Sequence, residues 1–343
     1  MARKVRVVLV GCGGMSGAWL KGCQEIPGVE TVGLVDLRRE VAEARAEEYA
    51  LPEAVIGTDL ADALRQTQPD MVYDCTVPEA HCEVTLLALK HGCHVLGEKP
   101  LADSMASARK MVAAAVRAKR LFAVIQNRRY QRNIRSLAAF LRSGKIGALS
   151  TVNADFYIGA HFGGFRDHMQ HPLLLDMAIH SFDQARLIMG TDAKAVYCNE
   201  FNPHGSWYDH AASAMAIFEM TGGIVFSYRG SWCAEGLNTS WECQWRIVGE
   251  KGTVLWDGGD DFRCEVAVGK TGFIRDRKTI EVPLLAPGKA KGGGHAGIIR
   301  DFVGCVRRGG VPETTGADNI KSLAMVLGAI DSAETHQRVV IRA

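Results

Sequence analysis

A lysine held between a glutamate and a proline, Glu98-Lys99-Pro100, and an aspartate four residues ahead of a histidine, Asp176 and His180, are the groups here best suited to moving a proton. An aspartate one helical turn from an imidazole can orient the ring and hold its proton, as a general acid or base requires. Asp183 falls near the same helical face. The same spacing suits a metal site or a surface pair, and Lys99 alone reads equally well as an exposed loop lysine. The surrounding sequence narrows these readings. Val5–Val10, apolar and β-branched, runs into Gly11-Cys12-Gly13-Gly14-Met15-Ser16-Gly17 and then a helix-compatible segment. Glycines let the backbone approach a phosphate, and a helix N-terminus offers free N–H donors and partial positive charge. The match to G-x-G-x-x-G is imperfect: Ser16, whose hydroxyl can itself reach a phosphate, holds the third slot, and Gly17 comes one residue late.

A second apolar run, Val29–Val35, ends at Asp36, about 20 residues beyond the glycines, where an acid accepts hydrogen bonds from the adenosine ribose. The turn and the acid together predict a dinucleotide site. Asp36 repels a 2′-phosphate, which favours NAD, while Arg38 keeps NADP open and Arg39 reads as a solvated helix start. Beside an oxidised nicotinamide, itself cationic, the Lys99 ammonium would release its proton more readily. Pro100 stiffens that turn and can take a cis bond.

The elements that must hold these groups alternate regularly. Helices are predicted over 40–49, from an N-cap at Thr58 or Asp59, over 80–91, and over 105–118 behind Ser104. Strands are predicted at 54–56, 71–75, 94–97 and 121–125. Apolar strands alternating with amphipathic helices imply an α/β domain with a doubly wound parallel sheet, which binds ligands at the carboxyl ends of its strands. Those ends carry Thr76-Val77-Pro78-Glu79-Ala80-His81 and Gly97-Glu98-Lys99-Pro100.

VGCGGMSGAWL, LVDLRRE, CTVPEAHCEVTLLALKHGCHVLGEKPLA and the NRRY segment Asn127–Tyr130 follow one another in an order and spacing that resemble the glucose–fructose oxidoreductase / inositol dehydrogenase / rhizopine-catabolism (Gfo/Idh/MocA) family over nearly the full chain. The resemblance implies an N-terminal Rossmann domain, residues 1–125, and a substrate-binding and oligomerisation α+β domain, residues 126–343. It implies a catalytic set of Lys99, Asp176 and His180 and a cis Lys99–Pro100 bond. It also places Thr76, Pro78, His81, Glu98 and Asn127 along the cofactor, with Val77 between the first two. One stretch departs from the family: Gln170-His171-Pro172-Leu173-Leu174-Leu175 stands where members often carry glycines. A bulkier wall there is expected to reshape the substrate pocket.

After residue 126 the βα alternation stops. A helix over 133–143 ends at Gly144, a strand covers 149–157, and a loop rich in glycine and histidine leads to a helix from Leu173 to Met189, stopped at Gly190. Period-2 segments at 195–198, 211–219, 223–230, 242–249, 253–256 and 265–268 predict an open, largely antiparallel sheet. One face should carry the catalytic helix; the other, by the resemblance, serves a homodimer or homotetramer. Trp207, Tyr208, Trp232, Trp241 and Trp245 suit that face, sugar stacking or a core. Lys289–Gly294 reads as a mobile link, and helices over 295–308 and 317–337 close the chain. Tyr157, His161, Arg166 and His168 join Lys99, Asp176 and His180 as candidate substrate contacts.

Composition excludes several classes. The chain has 343 residues, 47% hydrophobic and 23% charged, with a net charge of +2 and no basic block, which argues against nucleic acid or an anionic membrane as partner. No run reaches the ~18 apolar residues of a membrane span. Met1-Ala2-Arg3-Lys4 leads straight into a strand, so a cytoplasmic location is expected. The ten cysteines include no Cys-x-x-Cys pair and read as reduced and buried. No metal site is expected. The sequence thus points to an NAD(H)-dependent dehydrogenase of a sugar, sugar derivative or cyclic polyol. The rivals are a non-catalytic NAD(P)-binding sensor and a metal-dependent dehydrogenase or aldolase.

Overall fold

Short β-branched strands alternate with helices through the first part of the chain: β1 (Val5–Val10), α1 (Ser16–Gln24), β2 (Val29–Val35), α2 (Arg39–Glu48), β3 (Val55–Gly57), α3 (Leu60–Thr67), β4 (Met71–Asp74), α4 (Pro78–Lys90), β5 (His94–Gly97), α5 (Met105–Ala118) and β6 (Phe122–Val124). The structure, a computed structural model, describes residues 4–287 and 293–343. The predicted link Lys289–Gly294 lies outside the described residues except for Gly293 and Gly294. Six strands pair in parallel in the order β3-β2-β1-β4-β5-β6. Helices cover both faces, so strand residues such as Val7, Val8, Leu9, Met71, Val72 and Tyr73 are fully buried. The strand order reverses between β1 and β4, which sets a ligand crevice at their carboxyl ends. Of the two N-cap candidates for α3, Asp59 serves, accepting from the Asp62 N–H, and Ser104 caps α5 through the Ser107 N–H.

The second part opens with α6 (Arg132–Arg142) and β7 (Leu149–Tyr157) and continues through α7 (Ile179–Met189), β8 (Ala193–Phe201), β9 (Ser213–Met220), β10 (Val225–Ser231), β11 (Gln244–Gly249), β12 (Gly252–Trp256), β13 (Phe262–Ala267) and β14 (Arg277–Thr279), with β15 (Val339–Val340) near the end. The described strands form a nine-stranded sheet in the order β14-β13-β12-β11-β7-β10-β9-β8-β15. Every neighbouring pair is antiparallel except β7 and β10. Inward residues such as Val152, Phe156, Phe218 and Phe226 share one core with Ile134 and Leu137 of α6 and Phe182 of α7. The opposite face presents Tyr197, Met215, Ile217 and Val225 to solvent. Trp232, Trp245 and Tyr208, weighed for that open face, are buried in the core instead: Trp245 sits at an inward position of β11, while Trp232, just after β10, and Tyr208, in the loop before β9, pack against it. Trp241 remains exposed. Leu173 and Leu174 are also fully buried in this core, so the bulky stretch before Asp176 packs inward.

Two expectations need correction. The helix expected from Leu173 to Met189 begins with a π-helical turn, Leu173–Ala178, and becomes α-helical only at Ile179. The division of the chain also differs from a cut at residue 125. One compact unit comprises Met1–Tyr130 and Gly293–Leu323, the other Gln131–Gly292 and Ala324–Ala343. The cause lies in α8 (Gly294–Arg308), whose Ile298, Ile299, Phe302 and Val303 bury against Trp19, Leu20 and Cys23 of α1 and against Tyr130. Two polar ties reinforce this packing: the Tyr130 hydroxyl donates to Asp301 over 2.8 Å, and Arg129 pairs with Asp318 at 3.0 Å. The last helix, α9 (Gly316–Thr335), divides at Leu323. Among the described residues no helix is long and apolar enough to cross a membrane.

Candidate active site

The glycine turn after β1 is held from below and open above. Gly11 has φ +84°, and a Cβ there would lie 2.6 Å from the Cys75 carbonyl oxygen. A Cβ on Gly13 or Gly14 would meet nothing within 4 Å. The carbonyl side of the turn is engaged by the protein. The Gly13 oxygen accepts from the Ser16 hydroxyl at 2.6 Å and from Arg45 Nη2 at 3.0 Å, and the Cys12 oxygen from Arg45 Nε at 3.4 Å. The Ser16 proton is therefore committed to the turn rather than available to a phosphate. Asp36 closes the turn from β2, accepting from the Cys12 N–H at 2.8 Å and the Arg38 N–H at 3.0 Å. Burial, with the Asp36 charge, pushes the Cys12 thiol up to about 12, so this residue contributes its backbone and not a thiolate. Met15 and Arg38 are exposed beside the turn, and Arg39 pairs along its own helix with Glu43. A rigid loop with an open cradle over two glycines, and an acid at the end of β2, fits a dinucleotide.

At the neighbouring strand ends the polar residues form buried networks. Asp74, wholly buried, accepts from the Thr76 hydroxyl at 2.5 Å and stands 3.1 Å from His81 Nδ1. Burial works to lower the His81 pKa, but the Asp74 carboxylate, aided by Glu98 and Glu79, raises it overall. His81 thus stays beneath the loop as the partner of Asp74, while Val77 is exposed and Pro78 begins α4. Glu98 is equally fixed: one oxygen accepts from Trp19 Nε1 at 2.8 Å, the other from the Lys99 N–H at 3.1 Å. The Lys99–Pro100 peptide is cis. Asn127, in the turn after β6, donates its amide to His295 Nδ1 at 3.2 Å. All the residues assigned to the cofactor by sequence therefore lie in the first unit, on or beside the carboxyl ends of β1, β2, β4, β5 and β6.

In the second unit, Asp176 lies in the π-helical turn and His180 is the second residue of α7. Such i→i+5 turns occur frequently at functional sites. Half-buried Asp176 accepts from Arg166 Nε at 2.9 Å, and the guanidinium lies 4.9 Å and 4.8 Å from the ring centres of Phe162 and Phe165. His180 is nearly buried. Asp183, one of the acids near that face, pairs instead with Arg186 at 3.8 Å, a structural contact within α7. The loop histidines have partners of their own. His161 stacks on Trp207 at 3.7 Å and meets Glu235 at 2.8 Å. His168 meets Asp209 at 2.5 Å, and that hydrogen bond raises its pKa. The Tyr157 N–H donates to the Thr239 hydroxyl at 3.0 Å. Among the loop candidates, Arg166 reaches Asp176 by a hydrogen bond. Among the described residues no group of three or more His, Cys, Asp or Glu side chains is gathered as a metal site.

Two family models match this chain: residues 5–126 match the oxidoreductase family with an NAD-binding Rossmann fold, and residues 134–255 the GFO/IDH/MocA C-terminal domain. The chain belongs to the GFO/IDH/MocA family. Family members with which it aligns nearly end to end include D-apiose dehydrogenase of Paraburkholderia graminis, 27% identical over 99% of this chain and 90% of that protein. Another is 1,5-anhydro-D-fructose reductase of Ensifer adhaerens, 25% identical over 96% of each. The fold matches that of an oxidoreductase from Agrobacterium radiobacter, solved with NAD+, L-tartaric acid and magnesium, at a TM-score of 0.85 and 21% identity over 98% of both chains. This GFO/IDH/MocA protein is therefore an oxidoreductase with an NAD-binding domain.

Sequence reasoning missed four residues of the site. Asp74 had a signal, an acid closing an apolar strand just as Asp36 does. Trp19, Arg45 and His295 had none, since nothing local marks a ring, guanidinium or imidazole that reaches across the fold. Arg45 carries a direct test. Arg45→Met keeps the stem and removes the donors that fix the glycine turn. One lost charge-assisted hydrogen bond is worth roughly 1.5 kcal/mol, so NADH should bind about tenfold more weakly. Fluorescence titration with NADH measures this, and an unchanged dissociation constant would remove Arg45 from the site.

Proposed function

We propose that this GFO/IDH/MocA protein is an NAD(H)-dependent oxidoreductase that interconverts a secondary alcohol and a ketone on a sugar, sugar derivative or cyclic polyol, with Lys99, Asp176 and His180 as its catalytic set. The observation that carries the proposal is the pinned Glu98-Lys99-Pro100 turn at the carboxyl end of β5, in a chain that also holds Asp176 and His180 on its π-turn and α7. Relatives named for D-apiose and 1,5-anhydro-D-fructose support a carbohydrate substrate. Bound nicotinamide supplies the two-electron acceptor for the carbinol C–H hydride. In oxidation, His180 takes the hydroxyl proton and Lys99 hydrogen-bonds the same oxygen as it becomes a carbonyl. Asp176 orients the imidazole, and Arg166 pairs with that carboxylate at 2.9 Å. Tyr157, His161 and His168 join Arg166 as substrate contacts. Asp36 favours NAD over NADP by repelling a 2′-phosphate. The exposed Tyr197, Met215, Ile217 and Val225 face supports a homodimer or homotetramer built on the second sheet.

The deciding experiment is absorbance at 340 nm with NAD, then NADP, across a panel of aldoses, sugar acids, anhydrosugars and inositols. At least one member should be oxidised, with NAD the better cofactor. Tight NADH binding with every member of a broad panel inert would point to the sensor reading instead.

A further inference from the structure

The start of α8 brings a histidine to the cofactor domain that neither motif nor resemblance assigns. His295 is half-buried, the second residue of α8, and Gly293 ahead of it is tied to the Tyr130 carbonyl at 3.1 Å. Its Nδ1 lies 3.2 Å from the side-chain amide nitrogen of Asn127. An amide nitrogen only donates, so Nδ1 is the acceptor and the imidazole is neutral, with its proton on Nε2. Burial is the largest influence and disfavours the charged ring; the Glu98 carboxylate pulls the other way, and the Lys99 ammonium and the positive end of α8 oppose a second cation nearby. The pKa of His295 is lowered accordingly. Glu98 and Lys99, on the turn after β5, are the charged groups acting on the ring. The turn Asn127–Tyr130 brings the neutral Asn127, and α1 brings Trp19, whose N–H is engaged by Glu98.

We propose that His295 is a positioning residue for the nicotinamide end of the cofactor: by accepting the Asn127 amide it leaves the Asn127 carbonyl oxygen as the group offered to a ribose hydroxyl. This rests on the reading that Asn127 lines the cofactor. The polarity is the essential part. Once His295 is protonated, Nδ1 becomes a donor and can no longer receive the amide, so Asn127 must turn or lose its partner. A histidine serving only to pack α8 would have no such dependence.

The test is NADH affinity, read by fluorescence titration between pH 5.5 and 7.5, in the wild-type protein, His295→Gln and His295→Phe. Glutamine supplies a carbonyl acceptor that does not titrate; phenylalanine fills the space without an acceptor. At pH 7.5 the Gln variant should match wild type, and the Phe variant should bind about fivefold more weakly, the worth of one neutral hydrogen bond. Towards pH 5.5 wild type should weaken and the Gln variant should hold its affinity better. If the Phe variant does not fold, the comparison of wild type with Gln decides alone. Parallel pH profiles for wild type and Gln, or a Phe variant with wild-type affinity, would overturn the role of His295. Failure of the wild-type protein to bind NADH would instead overturn the cofactor reading itself.

Discussion

Lys99→Met should lower turnover of the sugar substrate by ~10²–10⁴-fold, the range of general acid–base catalysis, while leaving NADH affinity within about threefold of wild type. Methionine keeps the length and apolar stem of the side chain but removes the ammonium proposed to bond the reacting oxygen. The turn itself should survive, because Glu98 is held by the Trp19 ring nitrogen and by the residue 99 backbone N–H, neither of which depends on the side chain. His180→Ala should show a loss of the same order, because it removes the imidazole proposed to accept the hydroxyl proton. Both are read as kcat on the substrate found in the panel, beside an NADH titration. Near-normal turnover in either variant would remove that residue from the catalytic set. A loss confined to KM would make it a substrate contact only.

The second large effect is expected at Gly11. Gly11→Val places a branched side chain at φ +84°, with its Cβ 2.6 Å from the Cys75 oxygen, 2.7 Å from the Cys75 carbonyl carbon and 2.8 Å from the Thr76 nitrogen. These are backbone atoms at the end of β4, and Thr76 is bound to Asp74, so neither side can yield cheaply. A left-handed conformation costs a branched residue ~1–2 kcal/mol and overpacking ~1–3 kcal/mol, a total of about 2–5 kcal/mol against the first unit. A lower thermal midpoint together with abolished NADH binding is the expected result. Gly13→Ala is the matched control. Its Cβ meets nothing within 4 Å, so stability should be unchanged, yet the methyl occupies the cradle and NADH binding should weaken. Equal stability of the Gly11 variant and wild type would show that the close approach is not rigid.

The alternation of strands and helices in the first unit was legible because each element repeats its own period. Most strands of the second sheet were legible for the same reason, as inward residues such as Val152 and Phe218 alternate with outward ones. The caps at Asp59 and Ser104 could be read from local sequence, because a cap is a bond across three residues. The short edge strands β14 and β15 escaped: a strand of two or three residues leaves no alternation to detect. The π-helical turn around Asp176 escaped because one extra residue per turn does not alter which residues are apolar. The return of α8 to the first unit escaped for a different reason. Its helical period was plain, but an apolar face does not name its partner, and Trp19 lies some 280 residues away in the chain. His295 was lost with it, since its role exists only where α8 comes to rest.

That return has a bearing on synthesis. A ribosome making this protein releases the whole parallel sheet, and then the larger segment of the second unit, Gln131–Gly292, before it delivers the helix that covers Trp19, Leu20 and Cys23. The nucleotide-binding unit is begun before residues 131–292 and covered only after them, so its α1 face stands bare while they are made. Folding is vectorial for the sheet but not for its lining. A chain terminated before α8 lacks both the seal on that core and His295.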